Sequence, residues 1–136
     1  MTTGPAVSLT ARSIKIHVTK EARKFDPTLL HVWGATKDPE NKGSCTMSII
    51  RLFLYSDATF AFQSFVSSDN EGDVWLVQNM KFFQGTFQIG ETLPQFDSPP
   101  TPANGAPVLF LYRTLLPGVT PDLATKIDTI TWDNHC

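Results

Sequence analysis

The stretch that decides the fold is CTMSIIRLFLY, Cys45–Tyr55, followed after a short turn at Ser56 and Asp57 by ATFAFQSFV, Ala58–Val66. Two runs of β-branched and aromatic residues separated by a turn are typical of a β-hairpin. A polar loop, SSDNEGD, comes next, and VWLVQNMKFF and TFQIG supply two more runs of the same kind. The chain therefore predicts consecutive antiparallel strands.

The two strands of this hairpin differ in how their faces are expected to be covered. In the second strand Phe60, Phe62 and Val66 share one face, which predicts that this face points inward. Large apolar residues occupy both faces of the first strand: Ile50, Leu52 and Leu54 on one, Ile49, Phe53 and Tyr55 on the other. A strand with two apolar faces is expected to be covered on both sides.

The other segments complete a single β domain over residues 1–136. Further strands are expected at 13–19, 29–33, 107–116 and 127–136, and a short helix after the N-cap residue Thr120. Residues 1–11 are expected to be frayed, and the proline-rich residues 91–107 to form a loop or a lid. We expect an antiparallel β-barrel or closed β-sandwich of about eight strands with one short C-terminal helix.

The composition argues against several classes of partner. A net charge of −2 and a pI near 5.8 provide no basic patch for nucleic acid. No apolar stretch approaches the roughly 18 residues that a membrane-spanning helix needs. The N-terminus has no apolar signal-peptide core, so we expect a cytoplasmic protein, although a secreted protein whose signal peptide had been removed would look the same. The sequence leaves the oligomeric state open.

The familiar signatures of nucleotide, phosphate, zinc and serine-hydrolase sites do not occur in this sequence, and we expect no cofactor and no metal. The densest acidic cluster is Asp69, Glu71 and Asp73 in the loop SSDNEGD. Its carboxylates suit Ca²⁺, but Gly72 is misplaced for an EF-hand. A solvated loop whose polar side chains bond nearby backbone groups is the simpler interpretation.

Four polar residues are candidates for catalysis. His31 has a near-neutral pKa in its ordinary state and lies beside Trp33 on a predicted strand, which suits a proton shuttle. Arg51 interrupts an apolar strand and needs a carboxylate, a ligand anion or solvent for its charge. Asp57 and Tyr112 complete the set as groups that orient a carbonyl or move a proton.

The aromatic residues predicted to point inward are numerous for a domain of this size. Large rings inside a small barrel either fill it or form the wall of an apolar cavity. If they form a cavity, the substrate-binding residues are Trp33, Phe60, Phe62, Trp75, Phe110 and Trp132.

The chain contains two cysteines, Cys45 and Cys136. They are candidates for a disulfide that would join the end of the chain to the sheet, whereas a reducing cytosol would leave both as thiols. Their wide separation in the sequence forms no recognised metal-ligand spacing.

Several short motifs occur in an order that resembles an uncharacterised family of small all-β proteins from actinobacteria and fungi. These motifs are Trp33-Gly34, Gly43 with Cys45-Thr46, SDAT before Phe60, the loop Ser67–Trp75, FDSP at Phe96–Pro99 and the closing Asn134–Cys136. The resemblance implies an all-β fold, a disulfide between Cys45 and Cys136, and secretion. It carries no active site, because the family has no known function.

Two functional hypotheses follow from these residues. The first is a protein that binds an apolar small molecule in a β-barrel cavity, in one version a cofactor-independent cyclase or isomerase of natural-product metabolism. The alternative is a non-enzymatic carbohydrate- or protein-binding interaction module that uses Trp75 and the SSDNEGD loop on its surface. Exposed aromatic side chains would favour the interaction module, and enclosed ones the cavity protein.

Overall fold

The computed structural model describes residues 7–10, 15–16, 28–35, 40–42 and 45–136. These residues form eleven strands and one helix. The elements are β1 Val7–Thr10, β2 Lys15–Ile16, β3 Leu29–Ala35, β4 Glu40–Lys42, β5 Cys45–Tyr55, β6 Thr59–Ser68, β7 Leu76–Gln84, β8 Phe87–Leu93, β9 Phe96–Asp97, β10 Val108–Leu115, α1 Pro121–Ala124 and β11 Thr129–His135. The three shortest strands, β2, β4 and β9, have two or three residues each. The expectation of an all-β chain with one short helix is confirmed.

The strands pair into two antiparallel sheets. In sheet A the strand order is β1-β11-β7-β8, and β9 also pairs with β7. In sheet B the order is β10-β6-β5-β3-β2, and β4 also pairs with β5. The predicted hairpin is confirmed as β5 and β6, with Leu52 opposite Phe62 and Leu54 opposite Phe60.

The buried faces of the two sheets contribute to one hydrophobic core. Most of the large side chains in this core are aromatic or branched, as the alternation of apolar residues predicts. Sheet B contributes Trp33, Ile50, Leu52, Leu54, Phe60, Phe62, Val66 and Phe110, and sheet A contributes Val77, Met80, Phe82, Ile89, Ile130 and Trp132. A single core shared by the buried faces of both sheets is usual, because each sheet must cover its apolar face.

A β-bulge at Ile49 reverses which residues of β5 point inward. Ile49 has a φ of 52°, and the register with β6 shifts between Ser48 and Arg51. Before the bulge the buried residues are Cys45 and Met47; after it they are Ile50, Leu52 and Leu54, and Tyr55 at the end of the strand is buried as well. One extra residue in a strand has this effect because side chains alternate with a period of two.

Strand β7 also has a β-bulge, at Asn79, whose φ is 53°. Val77 is buried before this residue, and Met80 and Phe82 are buried after it. The register of β7 against β11 shifts across this residue, between Gln78 and Lys81, and its register against β8 shifts between Met80 and Phe82. Each sheet therefore has one central strand that changes the inward face part-way along its length.

The predicted helix is present. Helix α1 begins after Thr120, whose side chain accepts a hydrogen bond from the Leu123 backbone amide, and Pro121 occupies the first helical position as expected.

The segment 91–107 is not wholly a loop, because its start belongs to β8 and Phe96–Asp97 forms β9. Of residues 1–11, expected to be frayed, only 7–10 are described, and they form β1 beside β11. Of the predicted strand 13–19, only Lys15–Ile16 is described.

Candidate functional site

The four candidate catalytic residues lie at different places in sheet B. His31 and Tyr112 are on the inner face, since they are opposite Leu54 and Phe62, and both are half-buried. Arg51 is exposed on the outer face, opposite Gln63. Asp57 is exposed in the turn between β5 and β6. The structure therefore does not bring these four groups together around one reacting centre.

Asp57 stabilises the turn in which it lies by hydrogen bonding to Thr59. Its Oδ1 accepts hydrogen bonds from the backbone amide of Thr59, at 3.0 Å, and from the Thr59 hydroxyl. The hydroxyl bond is the main reason why the pKa of Asp57 is lower than its ordinary value, with smaller contributions from backbone amides and the charge of Arg113. The Arg113 guanidinium lies over the Tyr55 ring, 4.7 Å from its centroid, so its charge also faces the aromatic surface.

The six candidate substrate-binding aromatic residues are enclosed, with no side chain more than 2% exposed: Trp33, Phe60, Phe62, Trp75, Phe110 and Trp132. Five of them contact other aromatic rings: Trp33 packs on His31, Phe60 packs on Phe82, and Phe62 packs on both Phe110 and Trp132. The Phe62 ring lies 5.1 Å from Phe110, 5.4 Å from Phe96 and 6.3 Å from Trp132, measured between centroids. These separations are those of packed aromatic pairs.

The enclosure of Trp75 removes one premise of the interaction-module hypothesis. That hypothesis needed Trp75 on the surface, but the side chain is 0% exposed. Strand β7 starts at the next residue, and the backbone amide and carbonyl of Trp75 are held by Ser98, at 2.9 and 2.8 Å. A surface for binding must therefore be sought elsewhere.

Three buried side chains have polar atoms with no hydrogen-bond partner among the described residues. They are the indole nitrogens of Trp75 and Trp132, and both the nitrogen and the oxygen of the Asn134 amide. Trp132 and Asn134 share the inner face of β11, and Asn134 is opposite Val77 on β7. Leaving such atoms unpaired in a core costs about 1–3 kcal/mol each. The alternation of Ile130, Trp132 and Asn134 already places the amide inward in the sequence, although our sequence interpretation did not single it out.

A disulfide and a carboxylate lie together at one end of the fold. Cys45, at the start of β5, is bonded to Cys136, which follows β11, with their Cα atoms 6.3 Å apart. The Cys45 sulfur is 3.4 Å from Oδ2 of Asp73, and this same oxygen accepts a hydrogen bond of 2.6 Å from the Ser68 hydroxyl. No spacing in the sequence indicates that Asp73 approaches the cysteines.

The loop that carries Asp73 is bonded to the proline-rich segment. The Gly72 amide donates to the Thr101 carbonyl at 2.8 Å, and the Thr101 amide donates to the Asp73 carbonyl at 3.0 Å. The Thr101 hydroxyl donates to the Asn70 carbonyl at 3.1 Å. Asp69 and Glu71, the other carboxylates weighed as calcium ligands, are exposed in this loop.

The outer side of sheet B carries a group of exposed apolar residues, which we call the apolar face: Phe65, Leu109, Leu111 and Leu115. Leu109, Leu111 and Leu115 are 41%, 60% and 67% exposed, and Phe65 lies directly opposite Leu109. The three leucines alternate with the buried Phe110 and the half-buried Tyr112 along β10. The continuous apolar run VLFLY in the sequence is the signal for two apolar faces, a pattern that the sequence interpretation recognises only in β5.

Comparisons with known proteins identify no relative of this chain. No protein-family model, no curated protein and no solved structure matches it. Among the described residues, no helix has the length and apolar character needed to cross a membrane.

Proposed function

We propose that this protein is a non-enzymatic interaction module that binds an extended segment of another protein along β10 and across the apolar face. The observation that carries this proposal is the row of leucines on the outer side of β10, of which Leu111 and Leu115 are 60% and 67% exposed. Scattered single apolar residues on a surface are normal, whereas several on one sheet face, here with Arg113 between Leu111 and Leu115, are typical of an interaction site.

Exposure of the apolar face deprives the folded protein of the stabilisation that burial of these side chains would give. Complete burial of a leucine or phenylalanine side chain stabilises by about 1.5–3 kcal/mol. Four such side chains, Phe65, Leu109, Leu111 and Leu115, are together on one surface and are exposed in the described structure. A partner that covers them gains part of this free energy on binding, which is enough to offset much of the entropy cost of ordering an extended peptide.

The edge of sheet B supplies the second element of the site. Among the described strands β10 pairs only with β6, so the backbone amides and carbonyls on its other edge have no strand partner within the described residues. An extended peptide that adds to such an edge forms main-chain hydrogen bonds, and its alternate side chains meet the residues of one sheet face. Arg113 is the only charged residue of β10 and lies against Tyr55, so it does not block this edge by itself.

For the architecture we infer an open two-layer sandwich, supported by strand pairings that fall into two separate sheets among the described residues. An open sandwich has edge strands, which a closed barrel does not have. The contacts among the rings of Phe62, Phe96, Phe110 and Trp132 favour a filled core over a large apolar cavity. Enclosure of the aromatic side chains alone would favour a cavity protein, but rings that pack against one another leave less room for a ligand. Together with the exposed leucines of β10, these contacts support the interaction module ahead of a cavity protein.

A second candidate function is the binding of a small molecule inside the sheets. It is favoured by the unpartnered atoms of Trp75, Trp132 and Asn134, which offer donors and one acceptor beside aromatic rings. The ligand would be a flat apolar molecule with a carbonyl group. A ligand at a hundredfold excess over its Kd would raise the free energy of unfolding by about 2.7 kcal/mol, and Asn134→Leu would weaken this effect.

For the compartment we propose an oxidising one, in place of the cytoplasmic location expected from the N-terminus. The support is the disulfide between Cys45 and Cys136, because such bonds persist mainly in secreted and periplasmic proteins.

The main proposal is tested by selecting peptides from a random displayed library against the immobilised full chain. We expect selected peptides with alternating apolar residues, bound with a Kd that rises at least about tenfold in Leu111→Asp, since a charge then replaces a contact in the centre of the apolar face. The matched control is Phe87→Asp, because Phe87 is 71% exposed but lies on β8 of sheet A. N-methylation of alternate peptide amides is expected to abolish binding if the peptide adds a strand to β10.

Two outcomes would overturn this proposal. Equal binding by Leu111→Asp and the unsubstituted chain would remove the apolar face from the site. A stable dimer in sedimentation that Leu111→Asp dissociates would assign the face to a second copy of this chain instead.

A further inference from the structure

We infer that Cys45, Cys136 and Asp73 form a binding site for Zn²⁺ when a dithiol reductant opens the disulfide, whereas in the oxidising compartment proposed above the intact bond keeps the site closed. One ligand atom from each residue, two sulfurs and a carboxylate oxygen, lies within 4.8 Å of the other two. This site is at the Cys136 end of β11 and does not depend on the interaction proposed for β10.

Reduction of the disulfide and binding of Zn²⁺ are two successive steps. A dithiol reductant transfers two electrons and two protons to the Cys45–Cys136 bond, which breaks to give two thiols while the reductant forms its own disulfide. Zn²⁺ then binds both sulfurs as thiolates, and the two protons pass to solvent. No other oxidant or reductant is needed.

The geometry requires only small movements of the ligand atoms. In a tetrahedral zinc site the Zn–S distance is about 2.3 Å and the Zn–O distance about 2.0–2.2 Å, which places ligand atoms roughly 3.4–3.8 Å from each other. The three ligand atoms here are already confined within 4.8 Å. After reduction the sulfurs need only separate to this spacing.

Three different parts of the chain hold these ligands in place. Cys45 opens β5, Cys136 follows β11, and Asp73 is in the loop after β6. The backbone bond between Thr101 and Asp73 fixes that loop. The Ser68 hydroxyl donates to the carboxylate at 2.6 Å, which is the kind of outer contact that orients a metal ligand.

The donor set determines the class of cation. Two thiolates select a thiophilic cation over Ca²⁺ or Mg²⁺, which prefer oxygen ligands. The charges of two thiolates and one carboxylate are largely offset by a divalent ion. Cys136 and Asp73 are half-buried, so an ion can reach the site from solvent, and three protein ligands leave the fourth tetrahedral position for water.

The experiment uses Co²⁺ as a spectroscopic substitute for Zn²⁺ in the full chain, reduced with a phosphine under anaerobic conditions. We expect one equivalent of Co²⁺ to give the intense visible bands of tetrahedral cobalt and a thiolate-to-cobalt charge-transfer band, both removed by Zn²⁺. The oxidised chain is expected to give neither. A reduced chain that binds no stoichiometric Co²⁺ would overturn the inference.

Two matched variants test the carboxylate. Asp73→Asn keeps an oxygen for the Ser68 hydroxyl but removes the charge, and it should weaken Zn²⁺ binding at least about tenfold in competition with a chromophoric chelator. Asp69→Asn, in the same loop but exposed, should bind as the unsubstituted chain does. Equal affinities for both variants would exclude Asp73 as a ligand. If reduction unfolds the chain, Zn²⁺ should restore its β circular dichroism spectrum, and failure to do so also overturns the site.

Discussion

The Phe96 ring on β9 lies parallel to the Tyr112 ring on β10, with their centroids 4.0 Å apart and 4° between their planes. Because β9 belongs to sheet A and β10 to sheet B, this stacked pair connects the two layers. Phe96 also contacts the Phe62 and Phe110 rings edge-on. The proline-rich segment therefore supplies a residue of the central aromatic cluster.

We predict that Phe96→Ala lowers the free energy of unfolding by about 3–5 kcal/mol, the cost of removing a buried phenylalanine. Urea denaturation followed by tryptophan fluorescence measures this change. Phe87→Ala is the control, since Phe87 is exposed on β8 and its replacement should change stability by no more than about 0.5 kcal/mol. Similar effects of the two substitutions would contradict the role assigned to Phe96.

Gly90 and Gly85 form a second matched pair. Both have positive φ, 79° and 60°, so alanine at either position adopts a left-handed backbone at a cost of about 1–2 kcal/mol. A Cβ at Gly90 would also overlap the Val119 side chain and lie 2.7 Å from the Pro117 carbonyl oxygen, whereas a Cβ at Gly85 meets open space. Gly90→Ala should therefore cost about 1–3 kcal/mol more than Gly85→Ala in thermal unfolding. If the two substitutions lower stability equally, Gly90 does not lie as close to Pro117 as the structure shows.

The low pKa of Asp57 predicts a small dependence of stability on pH. The pKa of Asp57 is lower in the folded state than in the unfolded state, and the largest cause is the hydrogen bond from the Thr59 hydroxyl. The ionised Asp57 carboxylate therefore stabilises the fold at pH values above its unfolded-state pKa, and this stabilisation is lost as the pH falls through its folded-state pKa. We expect Thr59→Val to raise the Asp57 pKa toward its ordinary value, as measured by NMR titration. The stability difference between Thr59→Val and the unsubstituted chain should shrink in acid. An unchanged Asp57 pKa would contradict the assigned cause.

Asn134 is expected to be a site at which an apolar residue stabilises the fold. Its amide is 0% exposed and has no partner among the described residues. Replacement by leucine, which has a similar shape, removes this cost and should raise the free energy of unfolding by about 1–3 kcal/mol in the ligand-free protein. Ser64→Ala provides a contrast, since the Ser64 hydroxyl donates to the Ser48 carbonyl and its loss should destabilise. A destabilised Asn134→Leu protein would mean that the amide is satisfied.

The sequence predicts much of this fold because local signals agree with the tertiary structure. The hairpin of β5 and β6, the inward face of Phe60 and Phe62, and the N-cap at Thr120 all follow from residue type and periodicity. The bulge at Ile49 does not, because isoleucine is among the residues least suited to a positive φ, whereas Asn79 is a residue type that often adopts one. Bulges of this kind are imposed by the register of neighbouring strands.

The candidate sites were harder to predict for a different reason. The apolar face depends on which side of β10 remains uncovered, and the approach of Asp73 to Cys45 joins residues 28 positions apart through the path of a loop. The same difficulty applies to β5. Both of its faces were expected to be covered, but Ile49 on this strand is 39% exposed. Strand periodicity separates the two faces of a strand but cannot tell which of two apolar faces meets a second layer.

The position of β11 in sheet A determines the order in which the domain assembles during synthesis. β11 lies between β1 and β7, so the first and the last described strands are neighbours in the sheet. The hairpin of β5 and β6 is able to form on the ribosome from residues close in sequence, whereas β1 waits for Thr129–His135 to emerge before it finds its partner. Until then one side of β7 lacks the strand that covers it in the folded domain, and an unpaired strand edge in a partly synthesised chain is prone to pair with other chains.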